Sequence, residues 1–211
     1  MKGLVASKEA GVSQDVSELM QDAKDVDSLF TTWSAEVPNQ FHYSSTPLAH
    51  DEANDRSSRW MYPWSVDTYE DVIVANTWNL WRMSRIRIHS VIKDCAMLLQ
   101  SASDDHAYAV SAIRHLVNEI CSSVPFQLGF KMGDHNGDAS FYPHGMGDAS
   151  WLDKFGVPET LGGYLPIQPL GVAVGEDCVP LRQRLWMREY LETVNKDPGE
   201  LAKRPLKVNL Q

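Results

Sequence analysis

The sequence predicts an all-α protein, a bundle of about five or six helices around one long central helix over residues 69–100. Three observations lead there. Apolar residues recur at spacings of three and four along several segments. Two of those segments are far longer than a strand, and no alternation of apolar and polar residues is sustained. The chain has 211 residues, 43% hydrophobic and 22% charged, which is a globular composition with enough length for a sizeable core. Residues 1–211 are therefore expected to form a single domain.

The first helix is carried by Val16, Leu19, Ala23, Val26, Phe30 and Trp33, which share one stripe. Val37-Pro38 ends it, because the residue before a proline avoids the helical region. Residues 39–64 hold Ser, Thr, Asn, Asp and two prolines without a period, and read as a long loop ending in Trp60, Tyr62 and Trp64. In the central helix, Val74, Trp78, Trp81, Arg85, Ile88, Ile92, Cys95 and Leu99 alternate spacings of four and three. Ile73, Leu80, Met83, Ile86, Val91 and Leu98 widen its apolar surface, which places this helix in the middle of the fold. Ser101 to Asp105 break the helix and start the next, with hydroxyls and carboxylates suited to an N-terminus. Val110, Ile113, Val117 and Ile120 are the stripe of that next helix, which closes near Val124-Pro125. Residues 129–150, rich in Gly, Asp and Ser, read as a second long loop. The apolar stretch 161–175 is either a helix or a buried turn-rich segment. Pro180 fits a first helical position, and Leu181, Leu185, Arg188 and Leu191 form a last amphipathic helix.

Composition narrows the function. Nineteen Lys+Arg against 28 Asp+Glu give a net charge of −9, the wrong sign for a self-sufficient DNA-binding surface. No apolar run is long enough for a membrane span, and Met1-Lys2-Gly3-Leu4 leads into charge, so the expectation is an intracellular protein of the cytoplasm or nucleus. Cys95, Cys121 and Cys178 are three widely spaced cysteines without a C-x-x-C pair, which argues against a disulfide framework or a zinc module. Phosphate-cradling, dinucleotide, nucleophile-elbow and zincin motifs are absent from the sequence, so no cofactor is assigned. Asp134, Asn136 and Asp138 imitate the start of a calcium loop, but Ala139 and Gly145 occupy the positions that need glycine and glutamate. His135 and His144 with an aspartate could ligate zinc or iron, yet a solvated loop or a lid is the stronger expectation, and no metal is assigned.

Three segments carry a resemblance. Tyr69 to His89 resembles a helix in the large C-terminal regulatory region of fungal zinc-cluster (Zn2Cys6) transcription factors. Ile120-Cys121-Ser122-Ser123-Val124-Pro125-Phe126-Gln127-Leu128-Gly129 is similar to the next landmark of that region, and Gly162-Gly163-Tyr164-Leu165-Pro166-Ile167-Gln168-Pro169-Leu170 to the third. The order and gaps fit from about Phe30 to Leu201. The six-cysteine DNA-binding cluster of that family does not occur in these residues, and Gln168 stands where the family usually has tryptophan. What the resemblance implies is a helical region that binds a small molecule or a protein partner.

Candidate site residues cluster on the central helix. Arg85 and His89 lie one turn apart, near Trp78, Trp81 and Arg82. An arginine among tryptophans can donate to an enolate or carboxylate, and a histidine can move a proton, so Arg85 and His89 are the catalytic candidates. Trp60, Trp64, Trp78, Trp81, Arg82 and Tyr164 are the candidates for lining a ligand site. The competing expectation is structural: buried arginines and histidines must satisfy buried acceptors. Two functions follow. One is a cofactor-independent cyclase or isomerase, of the cycloaddition (Diels-Alderase-like) type, acting on a small apolar metabolite in fungal secondary metabolism. The alternative is a non-DNA-binding regulatory protein derived from a zinc-cluster transcription factor. Neither involves nucleic acid or membrane, and both allow a homodimer.

Overall fold

The computed structural model describes residues 2–47, 65–99, 104–128, 130–135, 138–143 and 164–196. Helices dominate, so the all-α expectation holds. Five helices are formed among the described residues: α1 (Lys2–Glu36), α2 (Val72–Leu98), α3 (Asp104–Gln127), α4 (Ile167–Gly175) and α5 (Leu181–Lys196).

α1 ends where Val37-Pro38 stops it, and a single 3-10 turn, Asn39–Phe41, follows. β1 (Ser44–Pro47) then pairs antiparallel with β2 (Ser65–Thr68), Ser44 opposite Thr68 and Pro47 opposite Ser65. The expectation of one loop over 39–64 is corrected to that extent. Pro47 takes the last place on a ribbon only two strands wide, where a missing N–H is tolerated.

α2 starts on Asp71, whose extended backbone (φ −151°, ψ 177°) lets its carboxylate accept from the Val74 amide at 2.7 Å. Its most buried row is Ala75, Asn79, Arg82, Ile86, His89, Lys93 and Ala96, all within 9% exposure. That row is one residue on from the apolar stripe read in the sequence, and four of its seven members are polar. α3 runs on through Pro125 to Gln127, two residues beyond the expected stop. Every residue from Ile120 to Gln127 is buried, so neighbours rather than propensity hold its last turns.

β3 (Phe130–His135) and β4 (Asp138–Pro143) form an antiparallel hairpin with His135 opposite Asp138. This corrects the expectation of a continuous loop over 129–150. Asn136-Gly137, the intervening dipeptide, is the pair that two-residue hairpin turns favour. Of the residues weighed above as metal ligands, Asp134, His135 and Asp138 fall on the strands of this hairpin, and His144 lies outside the described residues.

The main core gathers Ile86 of α2, Ile113, Val117 and Ile120 of α3, Leu170 of α4, and Met187 and Tyr190 of α5. A smaller cluster joins Tyr69, Ala75, Trp78 and Phe126. α2 is thus central: α3 covers one side of it, α1 another, and α4 a third.

Candidate functional site

Two polar centres sit on the buried row of α2. Arg82 is the heart of the first, fully buried between β2 and α3. Its Nη1 donates to the Tyr69 hydroxyl at 2.7 Å and to Asn79 Oδ1 at 2.9 Å, and its Nη2 to Asp67 Oδ2 at 3.2 Å. Nε lies 3.4 Å from Glu119 Oε2, and the guanidinium stacks 4.6 Å from the centre of the Tyr43 ring. The Tyr69 hydroxyl donates to Asp67 at 3.0 Å, Tyr43 to Glu119 at 2.8 Å, and the Asn79 amide to Ser123 Oγ at 2.7 Å. Burial pushes the Asp67 carboxyl above its ordinary range although Arg82 pulls it down. Burial likewise raises the Tyr43 hydroxyl to about 12, against the opposing pull of Arg82. Burial alone would ease a proton off Arg82. Tyr69, Glu119, Tyr43 and Asp67 outweigh it and hold the charge in place.

Asp27 of α1 organises the second centre. Arg85 Nε donates to Asp27 Oδ1 at 2.7 Å and Nη2 to Oδ2 at 2.9 Å, a bidentate pair. His89, with no exposed surface, brings Nε2 to 3.3 Å from the same Oδ1 and meets the Tyr108 ring edge-on at 5.7 Å. Burial would raise the Asp27 carboxyl, but His89 and Arg85 together hold it far below the usual carboxylate range. Lower on α2, Lys93 reaches Asp177 at 2.8 Å and Glu176 at 3.5 Å. That ammonium occupies the acidic group formed by Glu176, Asp177 and Cys178, whose ligand atoms lie within 4.8 Å of one another.

The sequence candidates therefore divide. Arg85 and His89 meet at one carboxylate. Trp78 and Trp81 pack edge-on at 5.4 Å, with their indole N–H groups donating to the carbonyls of Phe41 and Phe30. Arg82 lies in the first polar centre, one face of α2 away. Tyr164 is exposed at the start of the segment leading to α4. Trp60 and Trp64 lie outside the described residues. Asp27, Asp67 and Glu119 escaped the sequence reading. Asp27 had a signal, since it falls between Ala23 and Phe30 in the apolar stripe of α1, where an acid implies a buried partner.

Beside the second centre, α1 and α2 enclose an open apolar groove of about 400 Å³, with Leu29, Phe30 and Trp33 on one wall and Thr77, Leu80, Trp81 and Ser84 on the other. No helix among the described residues is long and apolar enough to cross a membrane.

The chain is 29% identical over 142 residues to the transcription factor dbaG of Emericella nidulans, a match covering 67% of this chain and 31% of that protein. The chain thus corresponds to under a third of the relative. No protein-family profile matches, and no solved structure does. The similarity gives this helical chain a transcription-factor-like origin.

Proposed function

We propose that this chain is a non-DNA-binding regulatory module, built on the helical regulatory region of fungal zinc-cluster transcription factors and acting in the nucleus through protein contacts. The observation that carries the proposal is the similarity to a transcription factor over two thirds of the chain. The net charge of −9 supports contacts with proteins rather than with phosphates. The polar row of α2 is engaged inside the fold, since Asn79, Arg82 and His89 have no exposed surface and face α3, β2 and α1. The cyclase or isomerase reading has less support, because Arg85 and His89 would have to leave Asp27 to meet a substrate.

The test pairs transcript measurement with purified protein. Deleting the coding sequence in its host is expected to change transcript levels of a biosynthetic gene group severalfold. The purified chain should leave duplex DNA unshifted at low salt. Unchanged transcripts, together with conversion of a host metabolite by the purified chain, would overturn the proposal in favour of the enzyme.

A further inference from the structure

α1 carries more periodicity than its packing uses. Val12, Val16, Leu19, Ala23, Val26, Phe30 and Trp33 step by four and three without interruption, which is the spacing of a coiled-coil seam over three heptads. One row of the seam, Val16, Ala23 and Phe30, is half-buried, and its Phe30 faces α2 across the groove. The other row is more exposed, Val12 at 58%, Leu19 at 52%, Val26 at 41% and Trp33 at 43%, with Trp33 also meeting Trp78 of α2 edge-on at 5.7 Å. Leu29, on the outer flank of this row, is 70% exposed. On α2, Ile73 and Leu80 are exposed at 54% and 39%, and Leu80 forms the opposite wall of the groove. A surface of this length, about 30 Å at 1.5 Å per residue, has the dimensions of a site for one more helix.

Charge chooses the occupant. Between residues 11 and 36 the acids are Asp15, Glu18, Asp22, Asp25, Asp27 and Glu36, and the sole base is Lys24. Lys24 is held by Asp105 at 2.7 Å, and Asp27 by Arg85. Glu18 and Asp25 accept only from the neutral amides of Gln14 and Gln21 on their own helix. Asp15 and Asp22 precede the half-buried row by one residue, the positions from which a coiled-coil helix makes its interhelical ion pairs. The exposed row of α2 is close to neutral here, with Arg87 and Asp94 one of each sign. A second copy would set acids against acids along this edge.

We infer that the α1–α2 groove docks a basic amphipathic helix of a partner protein, its apolar face on Leu19, Val26, Leu29, Trp33 and Leu80 and its lysines or arginines against Asp15 and Asp22. The inference deepens the regulatory reading and rests on it for the identity of the partner as a protein of transcriptional control. The surface itself is tested separately.

The probe is a fluorescein-labelled 21-residue helical peptide with leucine at both seam positions and lysine at the flanking ones. A glutamate-flanked version and a scrambled version of equal composition are the comparisons. Anisotropy is measured with the full chain. The lysine peptide is expected to bind in the micromolar range and to weaken about tenfold from 50 to 300 mM salt, with both comparison peptides at least tenfold weaker. Val26→Glu and Leu80→Glu, at exposed positions, should abolish binding with the circular dichroism unchanged. The double change Asp15→Lys, Asp22→Lys should transfer the preference to the glutamate peptide. Equal binding of all three peptides, or indifference to these substitutions, overturns the inference. So does a sedimentation profile of a dimer that Val26→Glu dissociates, which would seat a second copy in the groove. If the peptides fail while deletion still alters transcripts, the groove assignment falls and the regulatory reading stands. If they bind while transcripts are unmoved, the reverse holds.

Discussion

Arg85 grips Asp27 with both prongs of its guanidinium, at 2.7 and 2.9 Å, and so ties the C-terminal half of α1 to the middle of α2. His89 approaches the same carboxylate from one turn further along. Two side chains of α2 on one acid make α1 part of the fold despite its small share of buried surface.

Arg85→Met is expected to destabilise the chain by about 2–3 kcal/mol, because Asp27 keeps its charge in a half-dry site and loses its best partner. His89→Gln should cost less, about 1–2 kcal/mol, since the bidentate pair survives. Urea unfolding on matched preparations measures both. If the catalytic expectation is right instead, Arg85→Met will leave the unfolding midpoint in place and remove turnover on the order of a hundredfold.

Stability should fall in acid, and Asp27 should account for a resolvable part of the fall. Its carboxyl is depressed below the model-compound value of 3.8 in the folded state. In the interval between those two pKa values the unfolded chain binds the extra proton. The contribution is therefore complete above about pH 4 and is lost as pH drops through the folded value. Asp67 is shifted the opposite way by burial, and its protonation relieves the folded state. Urea midpoints of Asp27→Asn between pH 7 and 3 should slope less than those of the unchanged chain, and those of Asp67→Asn more.

Arg82→Met should be the most damaging single change on α2, at about 3–5 kcal/mol, because it leaves the Asp67 carboxylate without its cation and Asn79 Oδ1 without its donor in a dry site. The double change Arg82→Met, Asp67→Leu should recover part of that loss. Thermal unfolding of the two variants checks the order, and a double variant weaker than the single would contradict it.

The thiol of Cys121 should be inert in the folded chain. Burial pushes it up to about 12, with the Gln183 amide, 3.6 Å away, pulling weakly in the other direction. Half-buried Cys178 is expected to react first with iodoacetamide at pH 8, and Cys121 only in urea. Peptide mapping by mass spectrometry reads the order. Modification of Cys121 with native circular dichroism retained would count against this packing.

The helical frame was legible because its signals are local. The three-and-four spacings and the stop at Val37-Pro38 each act within a turn or two. The rotation of α2 was not. An apolar count follows Val74, Trp78 and Trp81, whereas the deepest row includes Asn79, Arg82, His89 and Lys93, whose burial depends on partners 3 to 84 residues away in sequence. The candidate site suffered for the same reason. Arg85 and His89 were found as a polar pair on a helix, but their common acid lies on α1, 58 residues before Arg85. The β3–β4 hairpin was hidden by its composition: Gly, Asp and Ser suggested a solvated loop, and Asn136 was weighed with Asp134 and Asp138 as a calcium ligand rather than with Gly137 as a turn dipeptide.

The polar row of α2 also fixes how the bundle can be assembled. A helix buried through leucines alone can turn or slide against its neighbours and lose little, since one methyl group replaces another. Here a slide of one turn, about 5.4 Å, would bring Ile86 to the place of Arg82, opposite the Asp67 carboxylate, and carry Arg85 away from Asp27. Each misplacement leaves charges without partners at several points at once, so the row works like the cuts of a key, admitting one alignment of α2 and refusing its neighbours. A single residue inserted between Arg82 and Arg85 would turn the two cuts about 100° out of phase, and no rotation of the helix could then seat both.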